Sequence, residues 1–173
     1  SSTVFRAAIV DMKRNGGLGK VLTDTIKLFK PSTEKINAVR HCNGRDWWVL
    51  TTRAGTHELR AYLIDTLGIH RNPIISNLKV KQKFGAGKAA ELILSPSGNY
   101  LLNLNYRSHL YSPTGYRQTI LEMGTFDCQN GQYTSIDSLL IDRMSPYAGS
   151  YSINENYIYF GSNLNSSGDN SGL

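Results

Sequence analysis

An aspartate followed within a few residues by a glycine turn closes three short apolar runs of this chain. Asp11 precedes Asn15-Gly16, Asp65 precedes Gly68, and Asp127 precedes Asn130-Gly131, at intervals of 54 and 62 residues. A second series keeps nearly the same step: Asp46-Trp47-Trp48, Asn99-Tyr100-Leu101 and Asn156-Tyr157-Ile158 stand 53 and 57 residues apart. Between these marks lie short strand-like segments with little helical periodicity. They run over 5–11, 21–29, 36–41, 47–52, 59–64 and 74–80, then 91–94, 100–104, 120–126, 135–141, 150–153 and 157–160. Asn43-Gly44 is a hairpin signal, because both turn positions favour positive φ. Ser95-Pro96-Ser97-Gly98 marks another turn.

Self-similarity at this period, with four strands per unit, predicts an all-β chain built as blades of a β-propeller. The expected divisions are the end of one blade over 3–30, a second blade over 34–84, a third over 89–142, and the start of a fourth over 148–173. Alternation agrees. Trp47, Val49 and Thr51 share one strand face, and Trp48, Leu50 and Thr52 share the other. Both faces are largely apolar, as in a sheet packed between two neighbours. A β-sandwich also has many short strands but does not call for this period. A ring needs roughly four blades or more, so the expectation is a piece of a larger ring.

At 173 residues with 40% apolar and 18% charged side chains, the chain is long enough to bury a core and too apolar for disorder. It has no apolar run of the ~18 residues that a spanning helix needs. The stretch from Asn163 to Leu173 reads as a cut inside a loop. Cys42 and Cys128 lie 86 residues apart. A pair cannot be inferred from that spacing, and two separate buried small side chains is the simpler expectation.

Gly16-Gly17-Leu18-Gly19-Lys20 fails as a phosphate loop, because Arg14 and Val21 occupy the required glycine and Ser/Thr places. His41, His57, His70 and His109 lack metal-ligand spacing, and neighbouring His41 and Cys42 would point to opposite faces of a strand. No metal and no cofactor is expected. No nucleophile elbow or metalloprotease motif is present, so no catalytic residue is assigned. Trp47-Trp48 is expected to pack a core before it stacks a ligand. Lys79, Lys81 and Lys83 would share one face of an extended segment and, with Lys88, guard an outer strand edge.

The loop from Asn105 to Gln118 is the best binding candidate. It carries Tyr106, Arg107, His109, Tyr111, Tyr116 and Arg117. Long loops in compact domains are disproportionately functional, and Tyr and Arg dominate binding hot spots.

The stretches Val10-Asp11-Met12 with Asn15-Gly16-Gly17-Leu18-Gly19, Glu34 through Trp48, Ser95 through Leu101, and Phe126 through Gly131 together resemble a known group. It is the propeller region of large secreted Bacteroidota proteins that carry a gliding-motility-type sorting domain and leave by type IX secretion. The resemblance covers about residues 5 to 160 and implies a cell-surface or extracellular location. It carries over no catalytic residue. The expected function is non-enzymatic: adhesion, scaffolding or ligand binding through rim loops. The expected partners are a surface protein or polysaccharide and the remainder of the same ring, with nucleic acid not among them. The alternative is a carbohydrate-active or peptidase-associated propeller enzyme with catalytic residues partly outside this segment.

Overall fold

β-branched and aromatic residues alternating between two faces, cut by Gly, Asn and Asp turns, leave the chain little but extended structure to adopt. The computed structural model describes residues 3–22, 25–83, 91–107, 118–142 and 146–162. Among them are fifteen strands and one short 3-10 turn, Asn15–Gly17. The strands are β1 (Phe5–Ala7), β2 (Val10–Asp11), β3 (Lys20–Val21), β4 (Ile26–Phe29), β5 (Ser32–Arg40), β6 (Trp47–Arg53), β7 (Glu58–Asp65) and β8 (Gly68–Ile69). They continue with β9 (Ile74–Asn77), β10 (Leu92–Leu94), β11 (Tyr100–Arg107), β12 (Gln118–Asp127), β13 (Gln132–Asp142), β14 (Pro146–Tyr151) and β15 (Ile158–Ser162).

Every pairing is antiparallel. One sheet has the order β5-β6-β7, with β8 and β9 both on the far edge of β7. The next has the order β10-β11-β12-β13. Before them stand the pairs β1-β4 and β2-β3, and after them the pair β14-β15. Against the expected segments, 5–11 and 21–29 each break in two, and Gly68–Ile69 adds a short strand.

The sheets pack on each other along matching edges. β10 lies against β5 on one side and β14 on the other, while β13 lies against β9. Trp48, Leu50, Leu59, Ala61 and Leu78 meet Leu92, Leu101, Phe126 and Tyr133 between the two large sheets. On the other face of the second sheet, Ile93, Leu102, Leu104 and Leu121 meet Tyr151, Ile158 and Phe160. That sheet is therefore buried on both faces. Each fully buried Leu contributes about 1.5–3 kcal/mol. At the other end, Phe5 and Phe29 stack on Tyr62 of β7, with the Arg60 guanidinium 4.6 Å over the Phe29 ring.

The repeated aspartates share one job. Asp11, Asp65 and Asp127 each accept, through Oδ1, the N–H two residues on, from Lys13, Leu67 and Gln129 at 3.0, 2.8 and 2.8 Å. This is the Asx turn, which bends the chain as a strand ends. The second series also recurs, with a correction of one residue. The β5-β6, β10-β11 and β14-β15 turns are closed by His41→Asp46, Ser95→Tyr100 and Ser152→Tyr157 backbone bonds. Each has a left-handed residue at the same place: Gly44, Gly98 and Glu155. Asp46 therefore corresponds to Tyr100 and Tyr157, and Arg45 to Asn99 and Asn156.

Two further expectations are corrected. Cys42 and Cys128 are not separate: they form a disulfide with Cα atoms 5.2 Å apart. It ties the β5-β6 turn to the β12-β13 turn, where the Trp48 indole N–H also donates to Cys128 O at 2.9 Å. Lys79 and Lys81 do not sit in a strand, because β9 ends at Asn77. The segment that follows is held by backbone N–H groups of Lys79 and Val80 donating to the Glu122 carboxylate. Lys88 lies outside the described residues.

Candidate functional site

β5 alternates strictly. Thr33, Lys35, Asn37 and Val39 turn one way, toward the second sheet, and Glu34, Ile36, Ala38 and Arg40 turn the other. This alternation sends a lysine into the interface between two sheets. Lys35 is 2% exposed. Its Nζ donates to Gln82 Oε1 at 2.9 Å, Asn103 Oδ1 at 2.7 Å, Asn105 Oδ1 at 2.9 Å and the Leu104 carbonyl. Four oxygens thus surround a group with three protons. Two of the acceptors are alternate residues of β11, so that strand presents them on one face.

Glu122 of β12 completes the cluster and is fully buried. It accepts the N–H groups of Lys79 and Val80 at 2.8 and 3.2 Å, and a longer 3.5 Å contact from Asn103 Nδ2. Asn103 therefore stands between the ammonium and the carboxylate. Burial pulls the Lys35 pKa down to about 7, and the charge of Glu122 opposes that fall.

Chemically, Lys35 is a strut. Its donors are all engaged, and an ammonium has no acceptor capacity. What it positions is the end of β11. Tyr106 pairs with Thr119 and Arg107 with Gln118 in the backbone ladder, so the ends of the 108–117 connection are adjacent strand residues. The strands continue further into the expected Asn105–Gln118 loop than the sequence suggests. His109, Tyr111, Tyr116 and Arg117, and the side chains of Tyr106 and Arg107, lie outside the described residues.

The opposite end of these sheets carries the β5-β6, β7-β8, β10-β11 and β12-β13 turns. There His41 stacks on Trp48, with ring centres 5.6 Å apart. Trp48 is buried as expected of a packing residue, whereas Trp47 is 42% exposed with the Arg40 guanidinium 5.2 Å over its ring. Hydrogen bonds from Arg45 and Asn43 hold the Asp46 carboxyl below its usual range. His70 Nε2 lies 2.7 Å from Asp65, and this contact, the largest cause, lowers the pKa of that aspartate too. At the end that holds the β11-β12 connection, His57 Nδ1, in the β6-β7 turn, contacts the Leu78 carbonyl. Among the described residues no three His, Cys, Asp or Glu side chains gather as a metal site.

Sequence reasoning missed Lys35 and its cage. The signal was Leu102-Asn103-Leu104-Asn105, two amides at alternate positions of a strand whose faces are otherwise apolar. No family model matches this chain, and no curated protein matches it.

Proposed function

We propose that this chain is part of a β-propeller in an exported cell-surface protein, and that it binds or scaffolds without catalysis. The observation that carries the reading is the alignment of edges: β5, β10 and β14 neighbour one another in succession, and β9 neighbours β13. Successive antiparallel sheets that pack face to face, with their first strands side by side, are how blades stack radially. The disulfide supports an oxidising compartment, since such bonds persist outside the cytoplasm. The resemblance to secreted Bacteroidota propellers supports the same location and the type IX route.

Binding belongs to the rim that holds the β11-β12 loop. The buried Lys35 cluster fixes the stem of that loop, and a rigid stem reduces the ordering cost when a partner docks. Tyr106, Arg107, His109, Tyr111, Tyr116 and Arg117 are the contact residues proposed, and a surface protein or polysaccharide is the partner class. The test is binding of the labelled chain to cell-surface polysaccharides and to intact bacterial cells. Wild type is compared with Arg107→Ala, Tyr111→Ala and Arg117→Ala. Binding reduced at least about tenfold by these variants supports the reading, in line with hot-spot energetics. Equal binding by all variants removes the loop, and release of a soluble product removes the non-catalytic assignment.

A further inference from the structure

Asn103 is held between a nucleophile and a proton carrier. Its Oδ1 accepts from Lys35 Nζ at 2.7 Å, and its Nδ2 contacts Glu122 Oε2 at 3.5 Å. Asn103 of β11 and Glu122 of β12 are directly opposed in the ladder, so both side chains leave the same face of the second sheet. Lys35 reaches them from the first strand of the first sheet. Asn103 and Glu122 are fully buried, and Lys35 nearly so. The other two side-chain amides around Nζ are placed differently. Gln82 Nε2 donates to the Val80 carbonyl, and Asn105 Nδ2 contacts the Asn103 carbonyl. Among the described residues, Asn103 is therefore the amide that touches Nζ at one end and a carboxylate at the other.

Burial also changes what the lysine can do. With its pKa pulled down to about 7, a large share of Nζ is neutral amine near neutral pH. An ammonium has no lone pair to offer, whereas a desolvated amine is a nucleophile. The charged form is the strut, and the neutral form is the reactive one.

We propose that Lys35 and Asn103 join in an isopeptide bond that the folded chain forms by itself, with Glu122 as the proton carrier. The Lys35 Nζ lone pair attacks Asn103 Cγ, and the carbonyl pair moves onto Oδ1. One carbon then carries both nitrogens beside the Glu122 carboxylate. That carboxylate takes a proton from Nζ and passes it to Nδ2. The carbonyl re-forms, the Cγ–Nδ2 bond breaks with its electron pair, and ammonia leaves. Glu122 ends as it began, and no oxidant, reductant or other reactant is consumed. Holding amine and amide in contact supplies the proximity that such a step needs, and a dry interface keeps water from competing for the carbonyl. The bond pins β5 to β11, further along β5 from the Cys42–Cys128 disulfide. The unlinked chain is the form in which Lys35 titrates and the disulfide is the covalent cross-link between the two sheets.

Intact mass spectrometry tests this, independently of the ring reading. The full chain is collected in urea, where the three side chains are apart, refolded at pH 6 and shifted to pH 8, with the disulfide reduced before weighing. The expected result is the loss of one ammonia, roughly tenfold faster at pH 8 than at pH 6, as the share of neutral amine dictates. Tryptic digestion then yields a branched peptide joining Lys35 to Asn103. Lys35→Arg keeps a buried cation without the nucleophile, and Glu122→Gln keeps the shape without the proton carrier. Both keep their full mass, while thermal melts report whether they fold. Asn103→Asp loses one water in place of ammonia. A wild-type chain that keeps its full mass overturns the proposal. So does a loss that persists in Lys35→Arg, which would mark ring closure at an Asn-Gly turn instead. A branch at Asn105 or Gln82 overturns the choice of Asn103, and linkage at an unchanged rate in Glu122→Gln overturns its role. If a variant fails to fold, the presence or absence of the branched wild-type peptide decides.

Discussion

Moving a lysine ammonium out of water costs several kcal/mol, and at Lys35 four oxygens and the charge of Glu122 offset that cost. Lys35→Met leaves those oxygens and the buried carboxylate uncompensated, so unfolding free energy falls by about 3–5 kcal/mol. Urea titration measures it. The same residue makes stability depend on pH. Its folded pKa, about 7, lies below its ordinary 10.5, so the unfolded chain holds the extra proton between those values. Stability therefore rises with pH from 7 toward 10.5, by on the order of 4–5 kcal/mol at 1.36 kcal/mol per unit. Tyr62, Tyr133 and Tyr151 work the other way. Burial raises their pKa values above 10, that of Tyr151 to about 12, so their contribution is intact below pH 10 and is lost above it. The expected maximum in a urea-melt pH series is near pH 10. Glu122→Gln removes the charge that holds the Lys35 pKa up, and the rise then starts at lower pH. None of this shows in the residues around Lys35, where Ser-Thr-Glu-Lys-Ile reads as an ordinary half-solvated strand. The partners lie 47 to 70 residues away in sequence, and only tertiary packing brings them together.

At the scale of strands and turns, much more is legible. Asp followed by Gly marks a turn through short-range hydrogen bonding, so the three Asx turns can be read without a fold. The second series reads one residue out at its first member, because Trp47 resembles Tyr100 and Tyr157 by type, whereas the backbone bonds that close the turns put Asp46 in their place. Strand lengths escape the sequence where packing overrides alternation: β11 and β12 extend to Arg107 and from Gln118. Turn glycines differ in what surrounds them. Gly44 has φ +71 and open space where a methyl group would stand, whereas at Gly131, with φ +73, that methyl would sit 2.8 Å from the Trp48 ring. Gly44→Ala should cost about 1–2 kcal/mol from backbone conformation alone. Gly131→Ala should cost about 1–3 kcal/mol more from overpacking. Paired thermal melts of the two variants measure the difference.

For the whole molecule, the all-β class and the antiparallel meander follow from alternation and turn spacing, which are local. The Cys42–Cys128 bond does not, since it depends on where two turns from different sheets land. Removing it with Cys42→Ser and Cys128→Ser should cost about 2–5 kcal/mol, mainly through a freer unfolded chain. Calorimetry with and without reductant checks this: reductant should lower the melting temperature of the wild type to that of the double variant and leave the variant unmoved. That staple also decides how the molecule answers to mechanical load. When the two ends are pulled apart, the tension bypasses the 86-residue span between the sulfurs, which holds back about 300 Å of slack at ~3.5 Å per residue. Optical-tweezer traces should show that slack released only after reduction, so β6 to β12, which lie between the sulfurs, are shielded from the load, while β5, β13 and the terminal hairpins, which lie outside the span, yield first.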